Sequence, residues 1–259
     1  MTILFLHKKA FKLKSAPCDV SDIHKIARSR PRGFAFYGRN YAERKVVFMI
    51  DGWFMRKRIY RLKTFYYSGP EIRKYCLRHL KQNDYLYRIF YYDTEPLEKK
   101  GHNPISKKAI DFSQTSVAKA QEQLLRSIKA TPNFALRLGK TVWKNNEWIL
   151  NSNKFKSLIN KQLLIDDLRE NDVRPLIEQK AVDMKIGLDI ALIAIKKIAD
   201  LMIIITGDAD IVPALKFARR EEMQVGLDPL RNPIQPKLAE HVDFIDTKIP
   251  PLKSAHSTP

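Results

Sequence analysis

The sequence predicts an α/β protein built around a mostly parallel sheet, and three observations carry that expectation. Runs rich in apolar and β-forming residues occupy 45–51, 85–93 and 201–206. Helix signals fall between these runs, so that strand, helix and strand alternate as in parallel βαβ units. The run at 201–206, Leu-Met-Ile-Ile-Ile-Thr, is almost continuously apolar, the pattern of a strand covered on both faces.

Taken in order, residues 1–44 carry ten Lys or Arg and three Asp or Glu, and read as a basic extension ahead of the fold. The first strand, 45–51, closes in Asp-Gly, a turn pair. Ser68-Gly69-Pro70-Glu71 is a helix start signal, and the helix is expected to run to about residue 82. The aromatic strand 85–93 follows and ends in Asp-Thr-Glu-Pro. Residues 97–112 are polar and loop-like, 113–129 helical, and 134–150 a hairpin turning at Asn145-Asn146. This middle section, about 97–160, reads as an insertion over one edge of the sheet. Residues 183–199 form an expected helix that is apolar on most sides, as if buried against the sheet. Strand 201–206, helix 211–221, strand 224–227 and a short helix and edge strand near 238–245 complete a domain spanning 45–247, before a tail at 248–259.

Composition bounds the function. Hydrophobic residues make up 44%, enough for a real core. Lys and Arg number 47 against 28 Asp and Glu, a formal net charge of +19, which favours a polyanionic partner. A solvated basic surface or anionic lipid would fit the same charge. The two cysteines, Cys18 and Cys76, suggest neither a disulfide framework nor a thiolate zinc site. The apolar run at residues 3–6 is too short for a membrane span or a signal-peptide core, so the expectation is a cytoplasmic protein without a membrane partner.

The carboxylates are the informative feature. In an open parallel sheet, ligands bind outside the carboxyl ends of the strands. Asp51 ends the first strand, and Asp208 and Asp210 follow the central one in Thr206-Gly-Asp-Ala-Asp210. Asp183 and Asp189 lie in the first turns of the helix that feeds that strand. Such carboxylates repel one another unless a cation sits among them. Hard oxygen ligands without cysteine suit Mg²⁺ or Mn²⁺, which can polarise a phosphodiester and activate a water for attack. Singly, each acid has a structural reading: Asp183 and Asp210 as helix caps, Asp51 as a turn residue, Asp189 as an exposed helix position. The joint arrangement is what points to a site.

Four pieces resemble the NYN domains, in particular the LabA-like branch: Val46-Val-Phe-Met-Ile-Asp-Gly52, Tyr87-Arg-Ile-Phe-Tyr-Tyr-Asp93, Gln179-Lys-Ala-Val-Asp-Met-Lys-Ile-Gly-Leu-Asp189 and Ile204-Ile-Thr-Gly-Asp-Ala-Asp210. They stand in the family's order. The resemblance implies a Rossmann-like three-layer, PIN-like sandwich and a single acidic metal site for endonucleolytic cleavage of RNA. It implies Asp51, Asp189 and Asp208 as metal ligands, with Asp183 and Asp210 shaping the site. Thr206 is expected to hydrogen-bond a ligand water, and Lys180, Arg56 and Arg58 to meet substrate phosphates. Trp53 departs from the small or amide residue usual after Asp-Gly in the family.

Other readings fare less well. A haloacid dehalogenase-type phosphatase needs a second Asp two residues after the first-strand Asp, where Trp53 stands. The six histidines show no local pairing for imidazole acid–base chemistry, and no Gly-x-x-x-x-Gly-Lys loop is present. The rival is a non-catalytic RNA- or DNA-binding protein with the same fold. Its support is the basic excess and the aromatics interleaved with Lys and Arg at 58–67, which could stack on unpaired bases or could pack in a core. A homodimer would bring two basic faces together.

Overall fold

The computed structural model describes residues 43–250; the basic extension up to residue 42 and the tail beyond 250 lie outside the described residues. In chain order the strands are β1 (Arg44–Asp51), β2 (Asp84–Thr94), β3 (Lys100–His102), β4 (Ala109–Asp111), β5 (Phe134–Leu150), β6 (Val173–Lys180), β7 (Leu201–Ile205), β8 (Gln224–Asp228) and β9 (Phe244–Ile245). The helices are α1 (Gly52–Leu62), α2 (Gly69–Leu77), α3 (Ser116–Lys129), α4 (Ser152–Ile159), α5 (Val182–Ile195), α6 (Val212–Arg220) and α7 (Pro236–Ala239). Among the described residues a seven-stranded sheet runs β6-β5-β2-β1-β7-β8-β9, parallel throughout except for the β5–β6 pair.

Period-two alternation in the central strands builds two cores. Val46, Phe48 and Ile50 of β1 face α1, α2 and α3 together with Leu201, Ile203 and Ile205 of β7. Val47 and Met49 face the other way, with Met202 and Ile204, against α5 and α6. The result is three layers, helices on both faces of a sheet, as side chains alternating across a fully covered strand require. From β1 the chain moves outward to β2 and β5, then returns to place β7 on the opposite side of β1. That reversal opens a crevice at the carboxyl ends of β1 and β7.

Several local expectations are corrected. Residues 134–150 are one long strand rather than a hairpin. Asn145 and Asn146 do adopt left-handed φ of 48° and 56°, but they accommodate a bulge. Trp143 pairs with Ile177 and Trp148 with Pro175, so residues 144–147 swell out opposite Leu176 and the chain continues. The first part of β5 pairs with β2 in parallel through residues 134–139, so α3 is an ordinary crossover and this part of the stretch read as an insertion belongs to the sheet. The loop at 97–112 contains the short β3–β4 ladder. α2 stops at Leu77, five residues earlier than expected.

Apart from the short β3, β4 and α4, two elements were not anticipated. β6 is one, an edge strand with a proline at position 175, which an edge tolerates. The other is α1, which starts directly after Asp51; Met55 and Ile59 are its buried stripe. α5 is not buried on most sides. Val182, Ile186, Ile190, Ile193 and Ala194 meet the core, whereas Met184, Leu188, Leu192 and Ile195 are 44–69% exposed. The sheet offers a single face, so an all-round apolar helix lying on it leaves half its apolar residues outward. No described helix is long and apolar enough to cross a membrane.

Candidate active site

The crevice at the β1–β7 reversal is a cavity of about 470 Å³, whose lining includes the acids Asp51, Asp183 and Asp208, the cations Lys57, Arg58 and Arg61, and Trp53, Phe54, Gln179 and Asn232. Asp51 leaves β1 as the N-cap of α1, its Oδ1 accepting from the Phe54 amide at 3.0 Å. Such a cap stabilises a helix by about 1 kcal/mol and fixes the direction of the carboxylate. Gly52 is required behind it, because a Cβ there would lie 2.5 Å from the Tyr91 ring and 2.6 Å from the Tyr92 carbonyl oxygen. Gly207 likewise leaves room for the Phe54 ring, 2.5 Å from where its Cβ would stand.

Thr206, buried at the end of β7, ties two of the acids together. Its hydroxyl donates to Asp51 Oδ2 at 3.4 Å and accepts from the Asp208 amide at 3.2 Å. Asp208 Oδ1 accepts from the Asp210 amide at 3.0 Å, which folds the Gly-Asp-Ala-Asp turn back on itself. Asp183 enters from the first turn of α5, a helix that opens on Ala181 in the left-handed region at φ 68°. A left-handed non-glycine residue is strained by roughly 1–2 kcal/mol.

Burial pushes the Asp51 carboxyl up to about 6, an effect reinforced by Asp183 and Asp93 and opposed by the hydrogen bonds from Phe54 and Thr206. Asp183 is raised by desolvation and by its neighbours Asp208 and Asp210. These acids therefore resist ionising where they stand, as carboxylates without a counter-cation do.

The other expected site residues fall elsewhere. Asp189 does not line the cavity; its Oδ2 accepts from Arg137 Nε at 2.8 Å and from the Tyr92 hydroxyl at 2.9 Å. Arg56 is committed to the buried Asp93, at 2.6 Å. Asp93 also accepts from the Tyr91 hydroxyl at 3.3 Å, and Tyr91 in turn meets Tyr67 at 3.1 Å. Lys180 is exposed one residue beyond Gln179, which does line the cavity. Asp210 lies beside Asp183 rather than in the lining. Among the described residues no three Asp, Glu, His or Cys side chains converge into a ready-made metal cage.

Arg58 does line the cavity, held by the Leu230 carbonyl at 3.0 Å. Leu230 is itself placed by Asp228, whose Oδ1 accepts its amide at 2.8 Å. Asp228 ends β8 but is turned inward, accepting from the Tyr75 hydroxyl at 2.5 Å and paired with His79 Nε2 at 3.1 Å. Sequence reasoning missed Lys57, Arg61, Asn232 and Gln179 as lining residues. For the first two the signal was present: residues 52–70 hold five Lys or Arg and no acid, directly after Asp51.

An α/β sheet with an acid-and-base crevice at its reversal point is the class of site this chain presents. No protein-family model and no curated protein matches the chain. Among solved structures it is similar to a protein of unknown function from Vibrio parahaemolyticus, with a TM-score of 0.41 and 12% identity over 78% of this chain and 91% of the other.

Proposed function

We propose that this chain is a metal-dependent nuclease of PIN-like, NYN type that hydrolyses phosphodiester bonds, with RNA as the substrate that the resemblance implies. The observation that carries the reading is the cavity lined by both Asp51, Asp183 and Asp208 and Lys57, Arg58 and Arg61. Carboxylates and cations lining one cavity suit a reaction at a phosphate: the cations would hold the polyanion, and the acids what attacks it.

The residues present fit Mg²⁺ or Mn²⁺. The donors are all carboxylate oxygens, and two of them are raised by burial and mutual repulsion, a condition a divalent cation relieves. Mg²⁺ in phosphate sites usually takes only one or two carboxylates and keeps its waters, so a three-acid cage is not required. Asp51 and Asp208 are the assigned holders, with Asp183 beside them in place of Asp189. The bound ion would supply charge neutralisation and a more acidic water. Thr206 fixes the directions of Asp51 and of the Asp208 backbone. Arg58, clamped by the Leu230 carbonyl, and the freer Lys57 and Arg61 would engage phosphate oxygens on either side of the scissile bond.

A second reading, a nucleic-acid-binding protein that does not cut, is favoured by the engagement of Asp189 with Arg137. One experiment separates the two: cleavage of a labelled single-stranded RNA with Mg²⁺ or Mn²⁺ and with EDTA, for wild type and Asp208→Asn. Metal-dependent cutting that the substitution abolishes, with RNA binding retained, is the expected result. Tight binding without cutting under either metal selects the binder. Equal cutting by both proteins refutes the aspartate assignment.

A further inference from the structure

The helix that walls the acidic cavity also walls a second groove. Arg56, Ile59 and Tyr60 of α1, residues 65–68 after it and one face of α3 enclose about 630 Å³. The groove's two most open aromatics, Tyr60 and Tyr66, are 85% and 77% exposed. Neighbouring rings are fixed from behind, Phe65 stacking on Tyr75 at 5.8 Å and Tyr67 bonded to Tyr91. Tyr60 and Tyr66 thus stand open to solvent beside aromatic neighbours that are held in place.

The exposed side of α1 links the two hollows. Trp53, half exposed at the cavity mouth, carries Lys57 Nζ over its ring at 4.6 Å. One turn further on stand Tyr60 and Arg61. Seven residues separate Trp53 from Tyr60, roughly 10 Å along a helix axis. Aromatic and cationic side chains alternate along this stripe, and no acid interrupts it between residues 52 and 70. A flexible polyanion with exposed flat rings is the partner such a surface complements: cations follow its backbone, and aromatics take its bases. A duplex, whose bases are already stacked, has nothing to offer Tyr60 or Tyr66.

We infer that the α1 stripe and the adjoining aromatic groove form a single-strand track, on which unpaired bases stack on Tyr60 and Tyr66 while Lys57 and Arg61 hold the phosphates leading to the acidic cavity. The inference rests on the nucleic-acid part of the reading above and extends it to single-stranded substrate.

The test is binding in EDTA, so that cleavage plays no part. A fluorescein-labelled single-stranded RNA and the same sequence as a duplex are titrated with wild-type full chain, Tyr60→Ala/Tyr66→Ala and Tyr60→Phe/Tyr66→Phe. Both tyrosines are exposed, so the truncations leave the fold intact, as an unchanged urea midpoint would show. The alanine pair is expected to weaken single-strand binding by roughly tenfold or more, to leave duplex binding unaltered, and to leave the salt dependence of single-strand binding unchanged, because stacking releases no counterions. The phenylalanine pair keeps wild-type affinity. Unchanged single-strand affinity in the alanine pair, or an equal loss for strand and duplex, overturns the track. Loss of single-strand binding in a protein that never cuts would uphold the track and refute the nuclease.

Discussion

Replacing Asp51 by Asn tests whether the site is strained by its own charge. The carboxyl titrates near 6 in the folded chain against 3.8 ordinarily, chiefly because it is buried. The folded state therefore keeps this proton longer than the unfolded state does. Its contribution to stability is fully present below about pH 4 and is lost as pH rises through about 6. At roughly 1.4 kcal/mol per tenfold change in proton affinity, the ionised group destabilises the metal-free fold by up to about 3 kcal/mol near neutral pH. Asparagine removes the charge and still accepts from the Phe54 amide as an N-cap. Urea unfolding in EDTA, compared at pH 4 and near pH 7.5, should give similar stabilities at the lower pH. At the higher pH the variant should be the more stable, by up to about 3 kcal/mol. Mg²⁺ or Mn²⁺ should then stabilise wild type and not the variant, since an ion bound only to the folded state adds stability by mass action. A variant less stable than wild type by the same amount at both pH values would refute the reasoning, for Asp51 would then be a cap and nothing more.

Three further outcomes are expected. Arg56→Met should lower stability by about 3 kcal/mol in urea unfolding, because it leaves Asp93 buried and unpaired; its effect on RNA affinity should be small, since Arg56 is already engaged. Arg61→Ala should weaken RNA binding and reduce the slope of log K against log salt by roughly 0.7 for a single strand, the share of one phosphate contact, and an unaltered slope would place Arg61 off the nucleic-acid path. Ala181→Gly should raise stability by roughly 0.5 kcal/mol, the relief of left-handed strain exceeding the added freedom of the unfolded chain; a loss, measured the same way, would show that the Ala181 methyl packs more than it strains.

How much of this was legible depends on what each signal measures. Asp51, Thr206 and Asp208 were readable because an apolar run that ends in a polar residue marks a strand terminus, and parallel strands deliver their termini to one edge. Asp189 was not, although the sequence held the warning. It lies six residues after Asp183, and at about 100° per residue the two point roughly 120° apart on the same helix, so both could not face one crevice. Helix α1 was masked by its cations: Met55, Ile59 and Leu62 keep helical spacing, but Arg56, Lys57, Arg58 and Arg61 dilute the apolar signal. Asn145-Asn146 signalled two left-handed residues correctly. Whether such a pair turns the chain back or bulges it depends on what lies alongside, and here β6 is available to pair with both flanks.

The two hollows of this molecule share a wall, and that wall explains why the basic residues sit where they do. α1 begins on an acid at the crevice, so its positive N-terminal end and its own cations surround the carboxylates without neutralising them by direct pairing. Arg56 turns inward to Asp93 and Arg58 to the Leu230 carbonyl, leaving Lys57 and Arg61 outward. A helix with that division commits Arg56 to its scaffold, holds Arg58 in place at the cavity and leaves Lys57 and Arg61 open to a ligand. Moving the outward pair to the inner face would leave Arg58 as the one cation from this helix in the cavity lining. Moving the inner pair outward would leave Asp93 unpaired and Arg58 unfixed. Affinity and stability should accordingly separate along this one helix, with Lys57 and Arg61 changing binding alone and Arg56 changing stability alone.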